Sequence, residues 1–332
     1  MTNLTKTKRS LRERYLSRPT PEELKVLEKK RPLRIQERDI EILKYLFEHK
    51  LMNLRQLEYL LGMTRQGQKQ SLRRRLRQLY RYHLVDQPED SIYLRLKYPK
   101  DKEYNTSLYA ISTRGVTVLC DHLGLDLERS RRKRRTDLNF RFLQHSLYLS
   151  QFYTTLELAL RKKPRFNLAF WKQGTEIKVR LSQVNKAATG YELGAKSLLP
   201  DSFFAIQDLE TKENLFYFAE ADMSGQQRIS TMLDKFRRYL ELWRQERYLD
   251  LGIKRQDGFQ VLTFCMQAQR VEELLKIFDH HLPWSDLSQD RKPEMFLFTS
   301  SFGSYDKPDK ILGPIWKSPR YPKGQRLYSL LD

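Results

Sequence analysis

Cysteine is nearly absent, with two in 332 residues. That excludes a disulfide framework, and two thiols alone cannot build a Cys-rich zinc site. Cys120 and Cys265 both sit among apolar neighbours and are expected in the core. No apolar run reaches membrane-spanning length and no signal-peptide pattern is present, so a soluble, cytoplasmic protein without a membrane partner is expected. Walker-type phosphate loops, GxSxG elbows, HExxH pairs and internal repeats are also missing. Nucleotide-driven and serine-hydrolase chemistry lose their support. Acidic residues are scarce in the first 135 positions, which hold 17 Asp or Glu against 33 Lys or Arg.

What remains is strongly basic. The whole chain carries +21, and 33 minus 17 places +16 of it in that first segment, leaving +5 for the rest. Such a footprint calls for a polyanionic partner. The length allows two domains with cores of their own, and 39% hydrophobic with 12% aromatic residues supports a globular chain.

Residues 1–35 read as a basic flexible tail, interrupted by Pro19 and Pro21, with a short helix available near Glu22 to Lys30. From Glu37 the spacing of Ile40, Leu43 and Phe47 predicts a helix to about Lys50. Asn53 caps a second short helix that Gly62 stops, and Thr64 opens a third, reaching about His83. In that third helix Leu72, Leu76 and Leu79 share one face. At 100° per residue Arg73, Arg74, Arg77 and Arg81 fall opposite, as one exposed stripe. Ser91 to Tyr98 and Ser107 to Ile111 alternate as strands around a charged loop carrying Lys100 and Lys102, with Lys97 just before it. Three helices and a β-hairpin predict a winged helix-turn-helix domain over 36–126, whose third helix enters the major groove of double-stranded DNA. The plainer alternative is a solvated charged face on a helical bundle. A basic run, Arg129 to Arg135, follows, and 127–136 reads as a linker.

Residues 137–332 interleave helices with strands and predict an α/β domain with a mixed sheet. A helix from Asp137 to about Lys162 holds His145 inside its apolar stripe, where a core role is the simpler reading. Strands are expected at Asn167 to Trp171, Glu176 to Leu181, Ser202 to Ile206, Leu215 to Asp222, Phe259 to Met266 and Glu294 to Thr299. The segment with Ile315, Trp316 and Tyr328 is expected to pack on the sheet. Glu220 and Asp222 end an apolar run two residues apart, so they project to one side of their strand. If that strand pairs with the one after Leu199-Pro200, Asp201 joins them. Three converging carboxylates need a cation, and hard oxygen ligands suit Mg²⁺ or Mn²⁺. Glu176 is a further candidate carboxylate. Lys235 and Tyr239, four apart on the helix after Asp222, can bring an ammonium and a phenol to the same place.

The order of these features is more specific than any one of them. The RRRLRxL core (Arg73 to Leu79), the LxPD-type strand (Leu198 to Asp201), the ExD strand end (Glu220 to Asp222) and the helix with Lys235 and Tyr239 resemble the replication-relaxation family, over roughly residues 37–320. That family includes mobilisation relaxases of the MOBC type, whose catalytic domain is similar to restriction endonucleases of the PD-(D/E)xK fold. The resemblance implies a restriction-endonuclease-like α/β domain in 137–332. It also implies recognition of a plasmid or mobile-element origin, metal-dependent nicking, and a homodimer or mobilisation and replication proteins as partners. On that likeness Asp201, Glu220 and Asp222 form the metal and catalytic set with Lys235 and Tyr239. The sequence departs from the nuclease pattern in one place: Asp222 stands where the usual lysine lies two residues after the acid, and Lys235 is the substitute at hand. The rival reading is a noncatalytic origin-binding or regulatory protein with a degenerate nuclease domain.

Overall fold

The computed structural model describes residues 18–88, 107–127, 140–183, 197–223, 229–281, 295–319 and 326–331. The chain forms two compact units, residues 1–147 and 148–332.

In the first unit the described elements are α1 (Pro21–Lys30), α2 (Glu37–His49), β1 (Met52–Asn53), α3 (Leu54–Leu60), α4 (Gln66–Arg81), β2 (Val85–Asp86), β3 (Leu108–Ile111) and α5 (Thr113–Leu123). The three expected helices are present. Asn53 accepts a hydrogen bond from the Gln56 amide at 2.8 Å while Gln56 accepts from the Asn53 amide at 2.7 Å, a reciprocal cap on α3. Gly62 leaves that helix with φ of 66°, a conformation open to glycine. Leu72, Leu76 and Leu79 of α4 are fully buried, as their spacing requires. The strands form a three-stranded antiparallel sheet in the order β1-β3-β2. β1 precedes α3, so the sheet ties the chain between the first two of these helices to the strands that follow the third. Gly115 is required at the start of α5, because a Cβ there would lie 2.1 Å from the Leu84 carbonyl oxygen. The expected strand at Ser91 to Tyr98, with Lys97, Lys100 and Lys102, lies outside the described residues, as do the basic run 129–135 and residues 1–17.

The expected flexible tail needs correction from Arg18 onward. Thr20 caps α1 by accepting from the Glu23 amide at 3.2 Å, Pro21 occupies the first turn, and Leu24 is buried. A tail with one buried leucine and a satisfied cap folds onto the unit. Hydrogen bonds hold it there, from Arg18 to Asp86 at 2.5 Å and between the His83 ring and the Pro19 carbonyl at 2.8 Å.

α6 (Phe140–Arg161) runs from the first unit into the second. There follow β4 (Phe166–Gln173), β5 (Val179–Arg180), β6 (Ser197–Leu198), β7 (Ser202–Asp208), β8 (Asn214–Asp222), α7 (Ile229–Arg244), β9 (Gln260–Cys265), α8 (Ala268–His281), β10 (Phe296–Thr299), β11 (Trp316–Lys317) and β12 (Leu327–Tyr328). Seven of the strands make one mixed sheet in the order β12-β11-β10-β9-β8-β7-β4, parallel at β8/β9 and β9/β10 and antiparallel elsewhere. The α/β class with a mixed sheet is therefore observed. β8 and β9 run through the middle, buried on both faces, which explains their unbroken apolar runs. Phe216 and Phe218 face a cluster with Phe236, Tyr239 and Phe278 of α7 and α8. Tyr217 and Ala219 face Phe152 and Leu156 of α6. Two local expectations change. Glu176 lies in a 3₁₀ turn (Gly174–Ile177) instead of a strand. The C-terminal segment does more than pack on the sheet, since Trp316 and Tyr328 are paired residues of its last two strands.

Candidate active site and basic helix face

The site is set by register. β7 and β8 pair antiparallel with Ser202 opposite Ala219, so Asp201, one step before, comes opposite Glu220. Asp201 Oδ2 accepts from the Ala221 amide at 2.9 Å, which fixes the aspartate to the neighbouring strand. On β8 the even residues face α7 and α8, so Glu220 and Asp222 share that face, as the two-residue period predicts. Lys235 and Tyr239 approach from successive turns of α7.

Four of the five expected residues meet. Lys235 Nζ donates to Glu220 Oε2 and lies 3.4 Å from Asp201 Oδ1, and the Tyr239 hydroxyl donates to Glu220 Oε1. Asp222, further along the same face, is engaged by Arg270 Nε of α8 at 2.8 Å, with both side chains buried. Sequence reasoning missed Arg270. Its only signal was position, near the start of the helix after β9, and nothing local announces a partner 48 residues away.

Burial dominates the electrostatics. It pushes the Glu220 carboxyl up to about 8, with the Asp201 charge adding to the shift and Lys235 opposing it. Burial pulls Lys235 the other way, but the charges of Asp201 and Glu220 outweigh it and hold the ammonium protonated. The Tyr239 phenol is raised well above its ordinary range by burial and by the Glu220 charge, so it stays a donor. A buried, proton-holding phenol is suited to positioning Glu220 and poorly suited to nucleophilic attack.

The donor set admits a hard cation. Asp201 and Glu220 each turn an oxygen to the Lys235 ammonium, so the two carboxylates share one cation, which is the chain's own side chain. Beside them, on the strand register partner of Glu220, Thr263 Oγ1 is buried with no hydrogen-bond partner among the described residues. A polar guest such as a cation-bound water would satisfy it. Among the described residues no group of three His, Cys, Asp or Glu side chains is arranged for a metal. Asp201 and Glu220 therefore fit as a pair, with Asp222 committed to Arg270.

In the first unit, Arg73, Arg74 and Arg77 of α4 are exposed, and Arg81 is half-buried. Arg73 is also an anchor, 3.1 Å from buried Glu58 of α3. Arg75, between the expected residues, turns inward instead. Its guanidinium forks onto Asp39 of α2, with Nε at 2.8 Å from Oδ1 and Nη2 on Oδ2.

A profile of the replication-relaxation family matches residues 43–253, more than half of the chain, from α2 through the site on β7, β8 and α7. No curated protein and no solved structure matches. The matched span contains the arginine face of α4 as well as Asp201, Glu220, Lys235 and Tyr239, and the chain belongs to the replication-relaxation family.

Proposed function

We propose that the protein binds duplex DNA at an origin through the outward face of α4, and nicks one strand at the Asp201–Glu220 site. The observation that carries the catalytic half is the convergence of buried Glu220 and partly buried Asp201 on one cationic point, in a family tied to replication and mobilisation. On this reading the first unit is a winged helix and the second a restriction-endonuclease-like domain. The three-stranded sheet formed by β1 before α3 and β2 and β3 after α4, and the mixed sheet with acids just before β7 and at the end of β8, support those assignments.

Asp201 and Glu220 would hold Mg²⁺ or Mn²⁺, which when bound supplies a polarised phosphate and a water of lowered pKa. Lys235, displaced from the two oxygens by the metal but beside it, would provide positive charge for the negative charge that develops on phosphorus. Tyr239 holds one oxygen of Glu220 and leaves the other turned to Lys235. Arg270 neutralises Asp222, so the second acid of the ExD strand end does not add its repulsion to the site.

A supercoiled plasmid carrying the element's origin, incubated with Mg²⁺ or Mn²⁺, is expected to be converted to open circles. Glu220→Ala should slow this by about 100-fold, and wild-type nicking should rise with pH as the proton that burial favours on Glu220 gives way to the metal. Cleavage that survives the substitution removes the assignment. Arg74→Ala with Arg77→Ala should make the slope of log affinity against log salt shallower by about 2, and an unchanged slope removes α4 as the phosphate contact.

A second reading has its own support: Lys235 already compensates both acids. A noncatalytic origin-binding protein with a degenerate nuclease domain would bind the same DNA and leave the plasmid supercoiled under both metals.

A further inference from the structure

We infer that the last turn of α1 and the segment after it form a second DNA-backbone contact, with Lys29, Lys30, Arg31 and Arg34 as its phosphate-binding residues. This rests on the DNA-binding reading of α4 and extends it to a part of the chain that lies before the family match. All four side chains are exposed, and no acidic residue occurs from 29 to 36. Of the two flanking acids, Glu28 is paired with Arg114 of α5, and Glu37 opens α2 with its carboxylate 3.9 Å from the His122 ring.

The segment is held beside α4 at two points. The Tyr82 hydroxyl donates to the Arg31 carbonyl, and Arg75 Nη2 donates to the Arg34 carbonyl at 2.7 Å. On α4 and its cap these anchors are seven residues apart, about 10 Å at the helical rise. In the segment they are three residues apart, also about 10 Å for extended chain. The two lengths agree, so the segment runs straight along α4 in the opposite direction.

Their placement on the helix decides what this does. Arg75 and Tyr82 mark one edge of α4, Gln78 is exposed next to that edge and accepts from Arg75 at 3.0 Å, and Arg74 and Arg81 follow on the far side. Arg31 and Arg34, at the two anchors, thus flank the arginine face, and Lys29 and Lys30 precede them in the chain. The inward turn of Arg75 gives this contact its function: by gripping both Asp39 and the Arg34 carbonyl, it anchors a basic strip beside a basic helix. Two parallel rows of exposed charge with no intervening acid suit a polyphosphate backbone, and such contacts add affinity without reading sequence.

The test uses the full chain, fluorescence anisotropy, and two 30-bp duplexes of unrelated sequence. Changing Lys29, Lys30, Arg31 and Arg34 together to Gln should weaken binding to both duplexes by the same factor, with the log–log salt slope shallower by about 2 to 4. Far-UV circular dichroism checks that the variant stays folded, and Arg31→Lys with Arg34→Lys should retain the wild-type slope. If the fourfold variant keeps the wild-type slope while Arg74→Ala with Arg77→Ala loses its share, the inference is overturned and the α4 reading stands. If neither variant moves the slope, the α4 reading fails and takes this one with it.

Discussion

Arg270→Ala should destabilise the second unit by about 3–5 kcal/mol, because it strands a carboxylate in the interior. Asp222 has no exposed surface and Arg270 only 6%, so no solvent is at hand to replace the lost charge. The pair also links the end of β8 to the start of α8. Removing both partners as Asp222→Leu with Arg270→Met should cost less than Arg270→Ala alone, since an apolar pair of similar volume leaves neither charge of the pair buried without the other. All four tryptophans, Trp171, Trp243, Trp284 and Trp316, lie within residues 148–332, so tryptophan fluorescence in a urea titration reports on this unit. A loss below about 1 kcal/mol would place the pair with ordinary surface bridges and defeat the argument.

Asp39→Ala should have an effect of similar size, about 3–5 kcal/mol, confined to the first unit. Asp39 is fully buried, accepts both arms of the Arg75 fork, and also accepts from the Gln36 amide at 2.8 Å at the start of α2. The substitution therefore removes a charge partner and a helix-end acceptor at once. A guanidinium does not give up its proton in a folded protein, so Arg75 cannot escape by neutralising once Asp39 is gone. Hydrogen exchange should show α2 and α4 opening together while the tryptophan signal of the second unit keeps its urea midpoint. Unchanged protection in α4 would mean that Arg75 does not tie these helices together. On the proposed function, DNA binding should fall with the same substitution, although none of the arginines proposed to contact phosphate is touched.

These two pairs mark the limit of what could be read in advance. The stripe of Arg73, Arg74, Arg77 and Arg81 follows from helical periodicity, yet the arginine that organises the helix is Arg75, whose partner lies 36 residues away. The Glu220 and Asp222 pair was legible as two acids on one face, but their different fates were not. Glu220 meets Lys235 and Tyr239 because α7 crosses its level, while Asp222 is reached first by α8. Glu176 looked like a candidate carboxylate in a strand and proved to lie in a 3₁₀ turn, where no alternation applies.

Periodicity, capping and charge balance act over a few residues, so the sequence alone determined the helices, the central strands, the basic first unit and the acids that end β8. Choosing among like-charged neighbours is a different problem, because it depends on which distant side chain arrives within hydrogen-bonding reach and on how much water is excluded there. Only the tertiary structure decided that Arg75 turns inward, that Lys235 bridges Asp201 and Glu220, and that Arg270 takes Asp222. The energy of each such contact comes from desolvation at a point where segments far apart in the chain coincide.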